Sequence, residues 1–112
     1  MLAGRHIMIT GAASGIGRAA AHLFTGYGAT VMLVDRDEGV RDVADAIPGA
    51  HSAIADITDG AAIAQIVASV PRLDGAFNNA GIEGMGGAMV PLADYPDEEF
   101  DRVFAVNVRG LW

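Results

Sequence analysis

Short apolar runs alternate along this chain with longer stretches of helical period. Ile7-Met8-Ile9, bounded by Arg5 and Gly11, and Val31-Met32-Leu33-Val34, ending at Asp35, have the length and flanks of buried strands. Ser52 to Ala55 and Gly75 to Asn78 predict two further, weaker strands. Between the first two, Ile16, Ala20, Leu23, Phe24 and Tyr27 recur at helical spacing, and Gly26 and Gly28 stop the helix. Val40, Val43, Ala44 and Ile47 predict a second helix closed by Pro48-Gly49, and Ile63, Ile66, Val67 and Val70 a third closed by Pro71. A last helix is expected from Pro96-Asp97, where Glu98, Glu99 and Asp101 suit the positive helix N-terminus, through Phe100, Val103, Phe104 and Val106 to Trp112.

Strands alternating with helices build right-handed βαβ units, so the expected fold is α/β: a doubly wound parallel sheet of Rossmann type. Its four strands should lie in the order 3-2-1-4, leaving the fourth as an edge. No linker or internal repeat interrupts the pattern, which predicts one domain over residues 1–112. Gly84 to Gly87 and Pro91 make Ile82 to Tyr95 a long flexible loop at the carboxyl end of the fourth strand, the edge where open α/β sheets bind ligands.

Composition narrows the function classes. The 112 residues are 52% hydrophobic and 19% charged, which suits a folded core and not a disordered chain. Fourteen acidic residues face seven basic ones, a formal charge of -7 that repels phosphate backbones and anionic membranes, so neither nucleic acid nor a membrane is an expected partner. No apolar run reaches the roughly 18 residues of a membrane span, and Met1 to Arg5 has no signal-peptide character, so a soluble, unprocessed, cytoplasmic protein is expected. The absence of cysteine excludes a disulfide framework, a thiolate metal site and a Cys nucleophile, and fits a reducing compartment. All seven basic residues are arginine, so no mechanism that needs a lysine amine runs within these residues. His6, His22 and His51 stand singly, without metal-ligand spacing.

The chemistry gathers at the strand ends. Thr10-Gly11-Ala12-Ala13-Ser14-Gly15-Ile16-Gly17 follows a predicted strand and opens a predicted helix, the context of a phosphate-cradling glycine loop. Gly11 would let the chain turn off the strand, Gly15 would let the backbone approach a pyrophosphate, and Gly17 would let the helix pack close to the sheet, with the helix N-terminus facing the phosphates. A P-loop is excluded because it needs a lysine. Asp35 lies about 20 residues beyond these glycines, where its carboxylate can accept from both hydroxyls of an adenosine ribose and repel a 2'-phosphate. Ser14 supplies no cation for that phosphate, so NAD is expected over NADP, although the neighbouring Arg36 keeps NADP open. By local chemistry alone Asp56 reads as a turn acid, Asn78-Asn79 as a turn satisfied by its own backbone, and Asn107 as a mid-helix amide that needs a specific partner or a solvated face.

Taken in order, TGAASGIG, Asp35-Arg36, Ala55-Asp56, Asn78-Asn79-Ala80-Gly81 and Val106-Asn107-Val108 resemble the short-chain dehydrogenase/reductase family over nearly the whole chain. The resemblance implies that Asp56 and the Ile57 backbone meet the adenine ring and that Asn79, Ala80 and Gly81 border the cofactor ribose. It also implies that Asn107 is the Asn of an Asn-Ser-Tyr-Lys catalytic tetrad, holding a water in the proton relay. The family's Tyr with Lys four residues later is missing: Tyr27 is followed at that distance by Val31, and Tyr95 by Glu99. The expectation is therefore the amino-terminal, cofactor-binding half of an oxidoreductase that moves hydride between nicotinamide and a small secondary alcohol or ketone. The half alone would be inactive and, with Phe100, Val103, Phe104 and Trp112 uncovered, a homo-oligomer. A non-catalytic dinucleotide-binding module and an assembly fragment are the alternatives.

Overall fold

The computed structural model describes residues 1–112. Its elements are β1 (His6–Thr10), α1 (Gly15–Gly26), β2 (Thr30–Asp35), α2 (Val40–Asp45), β3 (Ala50–Ile54), α3 (Gly60–Ser69), β4 (Gly75–Phe77) and α4 (Asp97–Phe104). The strands form one fully parallel sheet in the order β3-β2-β1-β4, as the alternation of apolar runs and helices predicts. Central β1 and β2 register Ile7 against Val31 and Ile9 against Leu33. Being covered on both faces, they are the most continuously apolar segments of the chain.

One core lies between the sheet and the α1 and α2 layer, where Ile9, Val31, Leu33 and Val40 are fully buried among Ala20, Ala21, Ala44 and Ile47. A smaller one, Met8, Val34 and Ala55, is covered on the opposite face by Ala62, Ile63 and Ile66 of α3. The small alanines on α1 let that helix approach the sheet closely, while Phe24 meets Phe77 with ring centroids 6.3 Å apart. No helix is long and apolar enough to cross a membrane.

Four boundaries differ from the sequence reading. The second helix ends at Asp45, two residues before the buried Ile47 of its apolar pattern. β3 starts at Ala50 and ends at Ile54, because Ala50 and His51 already pair with Val31 and Met32. β4 stops at Phe77, where the Asn79 N–H turns back onto the Phe77 carbonyl at 3.0 Å. The last helix is regular only to Phe104 and then widens into a π-type turn over Ala105–Arg109, closed by the Gly110 N–H on the Ala105 carbonyl at 2.7 Å. The segment read as a plain loop carries two 3₁₀ turns, Gly84–Gly87 and Leu92–Asp94.

At the amino-terminal end of the sheet Asp74 ties β1 to the segment before β4. Its carboxylate accepts from the His6 N–H at 2.8 Å and pairs with Arg72 and, at 3.4 Å, with Arg5. These partners, Arg72 foremost, hold the Asp74 carboxyl down at about 2. A carboxylate depressed on folding contributes stability above its ordinary range and loses it as pH falls toward the depressed value. The melting temperature is therefore expected to stay level above about pH 5 and to drop between about pH 4 and pH 2. An Asp74→Asn chain should start lower at neutral pH and show a shallower acid limb in the same thermal scan. An unchanged acid limb would contradict this role.

Candidate functional site

The carboxyl ends of the four strands open onto a cleft of about 640 Å³. Its walls are the β1–α1 loop, the end of β2, the turn after β3 and the segment after β4. All the residues singled out in the sequence line this cleft except Gly17 and Asn107: Gly11, Ser14, Gly15, Ile16, Asp35, Arg36, Asp56, Ile57, Asn79, Ala80 and Gly81. Ile82 and Glu83, which carried no site signal in the sequence, also line the wall, as does Val106.

The β1–α1 loop is built by close contact. Gly11 has φ +66°, and a Cβ there would stand 2.9 Å from the Ala80 Cα. Gly17 is buried behind the loop, where a Cβ would collide with the Gly11 carbonyl oxygen and lie 2.8 Å from Asn79 Nδ2. Its tightness is thus against the loop and Asn79, and not simply against the sheet. Gly15, at φ +56°, has open space where a Cβ would stand. Ser14 precedes the helix in extended conformation with no side-chain capping bond, and the first turn of α1 holds no acidic residue. Uncapped N–H groups and the positive helix end therefore lie at the cleft wall, a setting that fits an anionic phosphate.

Asp35 is already aimed. Its Oδ2 accepts from the Ala13 N–H and its Oδ1 from the Asp37 N–H, both at 3.0 Å, which fixes the carboxylate between the glycine loop and the end of β2. Each oxygen keeps a second lone-pair direction for another donor. Asp56 turns the chain after β3, with Oδ1 accepting from the Thr58 N–H at 2.9 Å and its hydroxyl at 2.7 Å. Those two bonds, with the charge of Arg36 added, hold its carboxyl below the usual range. The turn-acid reading thus describes the bonded side of Asp56, while the residue also lines the cleft.

Asn79 departs from its local reading. Its side-chain amide donates to the Thr10 and Gly11 carbonyls, both at 3.3 Å, across almost seventy residues of sequence. The Thr10 hydroxyl accepts from the Asn79 and Ala80 N–H groups at 3.1 Å each. Thr10, 5% exposed, is the residue sequence reasoning passed over, and a polar side chain closing a buried strand was the available signal. Asn107 likewise finds a specific partner: Oδ1 accepts from the Ile82 N–H at 2.7 Å and Nδ2 donates to the Ile82 carbonyl at 2.9 Å. It borders a smaller neighbouring cavity of about 200 Å³ with Thr10, Asn78 and Ala80.

The family model for short chain dehydrogenases matches residues 5–112. The chain is 37% identical to levodione reductase from Leifsonia aquatica, over 96% of this chain and 43% of that protein. It superposes on the NADH complex of 3-ketoacyl-(acyl-carrier-protein) reductase from Brucella melitensis with TM-score 0.89 and 37% identity, over 99% of this chain and 47% of that one. An NAD+-bound xylitol dehydrogenase is similar, with TM-score 0.88 and 30% identity over 98% and 45% of the two chains. The chain thus spans less than half the length of these relatives. With its sheet order, glycine loop and matched residues, the chain belongs to the short-chain dehydrogenase family.

Proposed function

We propose that residues 1–112 form one domain, the cofactor-binding portion of a nicotinamide-dependent oxidoreductase acting on a small secondary alcohol or ketone. The observation that carries this reading is the pairing of an uncapped α1 N-terminus, with space left at Gly15, and a pre-aimed Asp35 carboxylate on one cleft. Phosphates would lie against Ser14, Gly15 and Ile16. Asp35 would accept from the adenosine ribose hydroxyls, and its charge disfavours an added 2'-phosphate, so NAD is preferred to NADP despite Arg36. Asp56 and Ile57 would flank the adenine. Asn79, Ala80 and Gly81 would border the second ribose, with Gly11 and Gly17 setting the shape of the loop that receives the phosphates.

When bound, the nicotinamide supplies the site that gives or takes hydride. Asn107 contributes from the chain itself. Both ends of its side chain hold Ile82, and the donor and lone pair left on that amide could still hold a water for proton transfer. These residues contain no lysine, and Tyr27 and Tyr95 lack one four residues on, so the tyrosine–lysine pair that would carry the proton step is not among them.

The exposed side of α4 and its continuation, with Phe100 and Phe104 stacked at 4.5 Å and Val108, Leu111 and Trp112 more than half exposed, supports self-association of the 112 residues. We expect this chain to form no NADH from a panel of secondary alcohols and to sediment above monomer mass. Turnover that disappears in an Asn107→Ala chain, or a clean monomer, would contradict those expectations. A cytoplasmic location, with a small molecule and no nucleic acid or membrane as partner, agrees with the acidic, cysteine-free composition.

A further inference from the structure

The segment Gly81–Glu83 forms one wall of the cleft and is held at two points, one from the π-type turn that continues α4 and one from α4 itself. Asn107 grips Ile82 through both of its amide groups. The second point lies in the turn that follows. Met85 is the one non-glycine residue with left-handed backbone, φ 53° and ψ 27°, a region that an L side chain disfavours. Its N–H donates to Glu99 Oε2 at 2.7 Å. Arg102 fixes that carboxylate, with Nε on Oε1 at 3.0 Å and Nη2 on Oε2 at 2.9 Å, and its Nη2 also reaches the Glu83 carbonyl at 3.5 Å. A charge-assisted bond thus stands against an unfavourable backbone conformation, and the direction of the chain leaving Glu83 depends on it.

We propose that Glu99 is a positioning residue for the half of a dinucleotide beyond the pyrophosphate, acting through the Met85 turn on the Gly81–Glu83 wall. This rests on the cofactor reading above. Without the Glu99 acceptor, Met85 relaxes toward ordinary backbone and the wall loses its hold at the Glu83 end, keeping only the Asn107 grip on Ile82. The adenosine side is spared, because Asp35 and Asp56 take their hydrogen bonds from Ala13, Asp37 and Thr58 and none from α4 or the Met85 turn.

The test is calorimetric titration of the whole chain with ADP and with ADP-ribose, which differ by the distal ribose. Wild type should prefer ADP-ribose. Glu99→Ala should weaken ADP-ribose by roughly fivefold or more, as the competent turn becomes a minor population, while ADP changes by less than about twofold. Glu99→Gln, which keeps an acceptor for Met85, should stay closer to wild type. Adding Met85→Gly to Glu99→Ala should restore most of the loss, since glycine adopts the left-handed turn freely. That rescue separates positioning from mere loss of stability. Equal weakening of both ligands, unchanged ADP-ribose binding in Glu99→Ala, or no rescue by Met85→Gly overturns the proposal while leaving the cofactor reading standing. A wild-type chain that binds neither ligand overturns the cofactor reading and this proposal with it.

Discussion

Replacing Gly17 with valine is expected to disable the site and much of the fold at once. The added Cβ collides with the Gly11 carbonyl oxygen and comes within 2.8 Å of Asn79 Nδ2, and both are held, by the loop and by the Asn79 bonds to Thr10 and Gly11. Neither partner is the free end of a flexible side chain, so α1 must move away from β1 and β4. Overpacking of this kind costs about 2 to 3 kcal/mol, read as a lower midpoint in urea denaturation. Dinucleotide binding should fall by at least about tenfold. Gly15→Ala is the contrasting variant. No atom outside its own stretch of chain lies within 4 Å of its added Cβ, so the left-handed φ of +56° is what opposes it, at about 1 kcal/mol. That Cβ projects into open space where a phosphate would approach, so its effect on binding should exceed its effect on stability.

Asp35→Ala is expected to redirect cofactor choice. In the proposed mode the wild-type carboxylate would offer the ribose hydroxyls a charged acceptor from a position fixed by Ala13 and Asp37. Losing it should weaken NAD by roughly tenfold, about 1.4 kcal/mol, the scale of a hydrogen bond to a charged group. NADP should gain, because the repulsion is gone and the adjacent Arg36 remains. Asp35→Asn separates the two contributions, since it keeps an acceptor for one backbone N–H while removing the charge. Calorimetry with both cofactors reads the ratio. If NADP binds wild type as well as NAD does, the role given to Asp35 is wrong.

The sheet was legible because its two central strands are uninterrupted apolar runs ended by Gly11 and Asp35, and burial on both faces demands that pattern. The glycine loop was legible because its spacing and its place between strand and helix follow from backbone geometry. Tertiary partners were not legible. Asn79 bonds Thr10 and Gly11, and Asn107 bonds Ile82, through contacts that no local periodicity encodes. The sequence accounts for Asn107 as an amide in want of a partner, without saying which. Glu99 reads as one of several acids suiting a helix N-terminus, yet its carboxyl is held at about 2 by Arg102 and the Met85 N–H, as part of a clamp on another segment. The π-type turn was hidden for the same reason. Helical spacing continues through Val106, while the tie from Asn107 to Ile82 and the packing of Gly110 on Ile57 are set by the neighbouring loops.

In the proposed binding mode the glycine loop, the end of β2 and the Asn79 segment together receive one dinucleotide. Titrating the isotopically labelled chain with NAD and following its backbone amide resonances tests this most directly. Saturable shifts are expected at Ser14 to Gly17, Asp35 to Asp37, Asp56 to Ile57 and Asn79 to Gly81, with His6, His51 and Ser69 at the opposite end of the sheet unmoved. Absence of saturable shifts, or shifts centred on those opposite residues, would contradict it.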